Sequence, residues 1–147
     1  MSRLIQAFLT GIFFTFIIDF FVILGVKLNY IDFYEIDVYY NELFADHQNI
    51  FIYTFFTIIF GFLVTYVDNY KLSISIIGTL FIISTLTLIA PVGHKVGEVM
   101  LMKKNVTYKN NKFSFRGDVY YDGRTHITFY DNELKKIILL NKKELIE

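Results

Sequence analysis

The sequence predicts an integral membrane α-helical protein with three transmembrane helices and a small C-terminal β-rich module outside the membrane. Three observations predict it. The apolar residues, 54% of the chain, fall in blocks rather than being dispersed. Three of those blocks are long enough to span, and the chain switches after residue 92 to short alternating runs punctuated by turn dipeptides. The mean hydropathy of +0.46 agrees with that division.

The first span, about 4–26, covers roughly 34 Å at helical rise, slightly more than a hydrocarbon core. It exceeds the apolar core of a secretory signal, and no small-x-small cleavage site follows Val26, so it is expected to be a retained anchor. The second span, about 50–67, is close to the short limit. The third, about 72–92, is expected to stop at Pro91 and Gly93. Only the turn 68–71 joins spans two and three, which predicts a tight antiparallel hairpin between them.

The loop 27–49 is acidic and aromatic. Tyr34, Ile36, Val38 and Tyr40 alternate with Glu35, Asp37 and Tyr39, which predicts a short extended piece before a helix capped near Asn41-Glu42. The rings suit the headgroup zone. In the tail, 93–147, Asn110-Asn111 and Asp122-Gly123 are turn signals, the second a two-residue hairpin cue. Strands are expected around Val106–Tyr108, Phe113–Phe115, 118–121 and 125–130. The run 136–140 reads as a strand in preference to a closing helix. A module this small is marginal alone and is expected to rest on the membrane, a partner or another copy.

Charge is distributed unevenly. Residues 1–92 carry three basic and seven acidic side chains, and residues 93–147 carry eleven basic and seven acidic. With the tail in the cytoplasm, Lys27, Lys95, Lys103, Lys104, Lys109 and Lys112 lie inside, against Arg3 and Lys71 outside. That favours tail-in. Heavy use of Phe, Ile, Tyr, Asn and Lys with one proline and no tryptophan suggests an AT-rich bacterial gene, hence an inner membrane.

The absence of cysteine removes disulfides, thiol nucleophiles, iron–sulfur ligation and Cys-type zinc sites. No phosphate-binding glycine loop, nucleophile elbow, metalloprotease helix or dinucleotide fingerprint is present, and no cofactor is expected. Lysines are scattered among acids, which argues against nucleic acid as a partner.

Candidate sites are few. Ala7, Gly11, Thr15 and Asp19 form a ladder at four-residue spacing on the first span, and Thr57, Gly61 and Thr65 repeat it on the second. Small residues at this spacing let helices approach closely. Asp19 lies near the middle of an apolar run, and a carboxylate in hydrocarbon is costly, so the stripe is expected to meet a partner helix. No Lys or Arg in the spans can pair with it. Its partner is expected to be a Ser, Thr or Tyr hydroxyl, a proton, or a basic group from another chain, which favours an assembly role. A titrating site on an ion path, or a tolerated carboxylate in a wet recess, are the other readings. Asp32, Glu35, Asp37, Glu42 and Asp46 make an acidic surface suited to partner docking. They lack the loop glycine of a calcium site, so no metal is expected. Lys103, Lys104, Lys109 and Lys112 suit an anionic leaflet. Arg116-Gly117-Asp118 is expected to be an ordinary turn.

The leading expectation is a non-catalytic accessory, scaffold or assembly subunit of a larger inner-membrane complex. Its partners would be other integral membrane proteins and lipid. The alternatives are a proton- or ion-coupled transport component using Asp19, and a membrane-tethered regulator whose β tail binds a soluble partner.

Overall fold

In the computed structural model, which describes residues 2–110 and 113–146, one long helix is the axis on which the other helices pack. This helix, α1 (Arg3–Val26), is capped by Ser2, whose side chain accepts from the Ile5 N–H. It continues without a break into a π turn, Lys27–Ile31. Together they form, among the described residues, the one helix that by itself is long and apolar enough to cross a membrane. Two bent pairs reach that length only jointly, so the count is one to three by length and composition.

The first bent pair is α2 (Tyr40–His47) and α3 (Ile50–Thr65), at 85°. Asn49 stands at the corner and caps α3, accepting from the Phe51 and Ile52 N–H groups. The second pair is α4 (Tyr70–Leu86) and α5 (Ala90–Leu101), at 91°. Here the sequence expectation is corrected. The third apolar run does not continue to residue 92, and Pro91 starts α5 instead of stopping α4. A proline in the first turn sacrifices an N–H that has no helical partner anyway. The β structure accordingly begins at Lys103, after a further helix that the alternation pattern did not reveal.

The hairpin between the second and third runs also differs from expectation. The turn is tight, and the Ser73 hydroxyl donates to the Leu63 carbonyl at 2.6 Å. Yet α3 and α4 touch each other sparsely, and each packs chiefly on α1. Glycine is the reason. A Cβ on Gly11 would lie 1.9 Å from the Thr57 carbonyl oxygen, and one on Gly25 would lie 2.2 Å from the Thr87 hydroxyl. Backbone contact of this kind is available only against α1.

The tail is an antiparallel meander of β1 (Lys103–Asn110), β2 (Ser114–Asp122), β3 (His126–Asp131) and β4 (Lys136–Asn141). A 3₁₀ turn at Lys142–Glu144 then returns a two-residue β5 (Leu145–Ile146) to β1. The order is β4-β3-β2-β1-β5. Leu140 of β4 and Leu145 beside β1 share one core with Val119, Ile127 and Phe129, so the sheet curls until its two edges enclose the same interior. The Asp122-Gly123 signal marks a real hairpin, but its loop is 123–125 and Gly123 keeps a negative φ. Arg116-Gly117-Asp118 lies within β2 and is no turn: a Cβ on Gly117 would meet the Tyr130 carbonyl of β3 at 1.8 Å. The run at 136–140 is a strand.

The other face of the sheet rests on the chain's own helices. Ile23, Val26, Tyr30, Ile31, Ile36, Val38, Leu43, Leu101 and Tyr121 form one buried cluster drawn from α1, the π turn, the following segment, α2, α5 and β2. The module expected to need outside support is supported from within.

Candidate functional site

Two polar features were expected to carry function, and the structure treats them differently. The helix ladders come first. Gly61 of α3 lies against the Ala7 carbonyl, Gly11 against Thr57, and the Thr57 hydroxyl points at that of Thr15, 3.5 Å away. Thr15 and Thr57 are buried. Tyr53 donates to the Ile12 carbonyl at 3.2 Å in the same seam. The two stripes therefore face each other within one chain, and Thr65 stands half-buried at the end of α3. The ladders thus make a joint packing face between two of the chain's own helices.

Asp19 is likewise satisfied internally. Its carboxylate accepts from the Gln48 side-chain amide at 3.1 Å. Gln48 lies at the corner between α2 and α3, so Asp19 is level with the N-terminus of α3. The shared α1–α3 layer extends from Arg3 to about Asp19, roughly 24 Å at helical rise. Asp19 thus occupies the rim of that layer and not its middle. It lines a cavity of about 280 Å³ with Thr15, His47, Asn49, Tyr53 and apolar side chains of α1, α3, α4 and α5.

The acidic loop is divided. Asp32 pairs with Lys27. Asp46 takes a bidentate hydrogen bond from Arg124 of the β2–β3 loop, at 2.7 and 2.9 Å, and Glu42 adds a longer contact to the same guanidinium at 3.5 Å. The Arg124 hydrogen bonds hold the Asp46 carboxyl below the usual carboxylate range. Burial, with the nearby Asp46 and Glu42 charges, pushes the Tyr121 hydroxyl up to about 12. Glu35 and Asp37 have no ion-pair partner among the described residues. Ile36 and Val38 are buried and Asp37 is exposed, but the expected extended piece is not formed. Residues 32–35 make a turn with Glu35 at φ 54°, the Val38 N–H donates to the Ile36 carbonyl at 3.0 Å, and Tyr40 already begins α2.

Glu35, Asp37 and Glu42 form one wall of a cleft of about 590 Å³. Its floor includes Tyr121 and Thr128, and its far wall is Ile137, Ile138 and Leu139 of β4. Its volume falls within the range of small-ligand and peptide sites. Of the lysines expected at lipid, Lys103 is held by Asp122 at 2.9 Å, which Lys142 also contacts. Burial raises the Asp122 carboxyl, but those two lysines outweigh it and hold it low. Lys104 and Lys109 are exposed, and Lys112 lies outside the described residues.

Sequence reasoning missed the joint that fixes helices to sheet. Asn29 donates to the Thr87 carbonyl at 2.9 Å, and the Thr87 hydroxyl donates to the Phe21 carbonyl at 3.0 Å. The first satisfies an acceptor at the break between α4 and α5, and the second ties the break to α1, the same hydroxyl also lying 2.7 Å from the Ser84 carbonyl of α4. Gly93 and Gly97 let α5 close on the π turn, Gly97 directly under the Tyr30 ring. The Tyr30 hydroxyl then donates to the Tyr120 carbonyl of β2 at 2.9 Å. The repeat Gly93, Gly97 at four-residue spacing was the available signal, hidden because the proline beside it read as a stop. Comparison with known proteins adds nothing to the geometry: no family model, no curated protein and no solved structure matches this chain.

Proposed function

We propose that the chain is a three-span membrane protein acting as a non-catalytic docking or assembly subunit. Its spans would be α1 and the α3 and α4 portions of the two bent pairs, each pair reaching spanning length only when its short helix is counted. Its β module would stand at the cytoplasmic face of a bacterial inner membrane. One observation carries the membrane part of this reading. The small and polar ladders of α1 and α3 are turned inward on each other, while Phe8, Phe13, Phe51, Phe55, Ile58, Ile74 and Ile82 are exposed around the outside. An apolar belt of that size has lipid as its natural environment.

The short helices α2 and α5, bent nearly at right angles to α3 and α4, suit the interfacial plane between belt and module. With the ladders occupied, the surfaces left for a partner are the acidic segment, the cleft and the outer sheet. Purification of the tagged chain in mild detergent tests the reading. Co-elution with a membrane partner is expected, and a monodisperse monomer overturns it. Reporter fusions at Asn41 and at the C-terminus test orientation, and external activity of the C-terminal fusion overturns tail-in.

The rival transport reading draws on the cavity beside Asp19. Asp19→Asn tests it, because the amide keeps a hydrogen bond to Gln48 but cannot ionise. Retained function in that variant excludes a titrating role.

A further inference from the structure

We propose that the cleft between Ile36–Val38 and β4 receives an extended, lysine- or arginine-bearing peptide of a partner protein, which adds to the sheet beside β4. The inference deepens the docking reading and rests on it for placing the cleft outside lipid.

β4 is an open edge: among the described residues it pairs only with β3. The backbone polarity of that edge follows from the register. Lys142 N–H donates to the Thr125 carbonyl at 3.1 Å, so Leu140 and Ile138, opposite Ile127 and Phe129, turn their N–H and C=O groups towards β3. Ile137 and Leu139 turn theirs outward. Proteins usually protect such an edge with central charges, proline or a bulge. Here the only charge is Lys136 at the end of the strand, Leu139 is 70% exposed and Ile137 is 43% exposed. A strand laid along them gains backbone hydrogen bonds and an apolar contact together.

The opposite wall sets the charge of the occupant. Glu35 and Asp37 are exposed, alternate with buried Ile36 and lack cations among the described residues. Arg124 also lines the cleft, but Asp46 and Glu42 already neutralise it. The remaining basic group there, His126, engages its neighbour Thr125 at 2.9 Å. The cleft is therefore anionic, and a peptide carrying cations on alternate residues complements it.

The test uses the full chain in mild detergent and a labelled short peptide alternating Lys and Val. Its counterparts are a Glu/Val peptide and the Lys/Val peptide N-methylated on alternate backbone nitrogens. The Lys/Val peptide is expected to bind, and both counterparts to fail. Glu35→Gln with Asp37→Asn leaves the sheet untouched and should weaken binding about five- to tenfold while flattening its salt dependence, the scale of two exposed ion pairs. Leu139→Pro removes an outward N–H without breaking the ladder and should abolish binding. Equal binding of the N-methylated peptide, indifference to the charge substitutions, or no binding overturns the proposal. So does concentration-dependent dimerisation abolished by Leu139→Pro, which would assign the edge to a second copy. A chain that co-elutes with a partner but ignores the peptide sinks the cleft assignment alone. A chain that binds the peptide yet purifies as a monomer sinks the assembly reading alone.

Discussion

Gln48 reaches from the corner between α2 and α3 to hold the Asp19 carboxylate of α1, at 3.1 Å. This contact locates Asp19 at the rim of the helical layer, where the chain turns sideways. A carboxylate there has an amide donor in Gln48 and borders a largely apolar cavity with Thr15, Asn49 and Tyr53 at its polar side. Gln48→Leu should therefore cost about 1–3 kcal/mol, because it leaves a half-buried acid without its donor. Asp19→Asn should cost less. Thermal unfolding in detergent would check both, and equal losses would contradict the assignment.

The α1–α3 seam has no room for side chains at its glycines. Gly61→Ala and Gly11→Ala should each destabilise by about 1–3 kcal/mol, since the added methyl meets backbone that cannot rotate away. Gly78→Ala is the internal control. Nothing lies within 4 Å of a Cβ there, and alanine favours the helix by about 1 kcal/mol, so this variant should be neutral or more stable.

Tyr30 joins the long N-terminal helix to the sheet through one hydroxyl. Tyr30→Phe should lower stability by about 1 kcal/mol by leaving the Tyr120 carbonyl without that donor. Gly97→Ala should do more, because its methyl would lie 2.3 Å from the Tyr30 Cβ. Limited proteolysis in the β module should rise in both variants. An unchanged cleavage pattern would mean that the module is held elsewhere.

Acid should loosen the clamp between α2 and the β2–β3 loop. Asp46 has its carboxyl held low by Arg124, so its contribution is complete above about pH 3.9 and fades as pH falls through the folded value. Asp122, held low by Lys142 and Lys103 against its burial, acts in the same direction. Near-ultraviolet circular dichroism should be constant from neutral pH to about 5 and change below about 4. Asp46→Asn should remove part of that transition, and an identical acid profile would exclude the clamp as its source.

Local chemistry made much of this architecture legible. Apolar blocks wrote the long helices and alternation from Val106 to Leu140 wrote the meander. The cap expected near Asn41-Glu42 is not formed: α2 starts after Tyr39 with no side-chain cap, and it is Asn49 that caps α3. The ladder at Ala7, Gly11 and Thr15 announced a close helix contact, because small residues at that spacing serve little else. What the ladder faces was not written there, since the same stripe fits a partner chain or a neighbouring span. Pro91 was ambiguous for the same reason: it ends one helix or begins another, depending on whether Asn29 and Thr87 are present to satisfy the break. The cleft was invisible because Glu35 and Leu139 are a hundred residues apart.

By itself, then, the sequence determined the apolar helices α1, α3 and α4 and the strands of the meander, but not α5 or the break before it. It also determined where charge accumulates and that α1 carries a close-packing stripe. Those properties depend on neighbours within a turn or a strand pair. Tertiary structure decided that α1 stands between α3 and α4, that Asp19 belongs to Gln48, and that the β module rests on Tyr30 and Arg124. These outcomes depend on which backbones can approach one another, and glycine sets that distance only when both partners are in place.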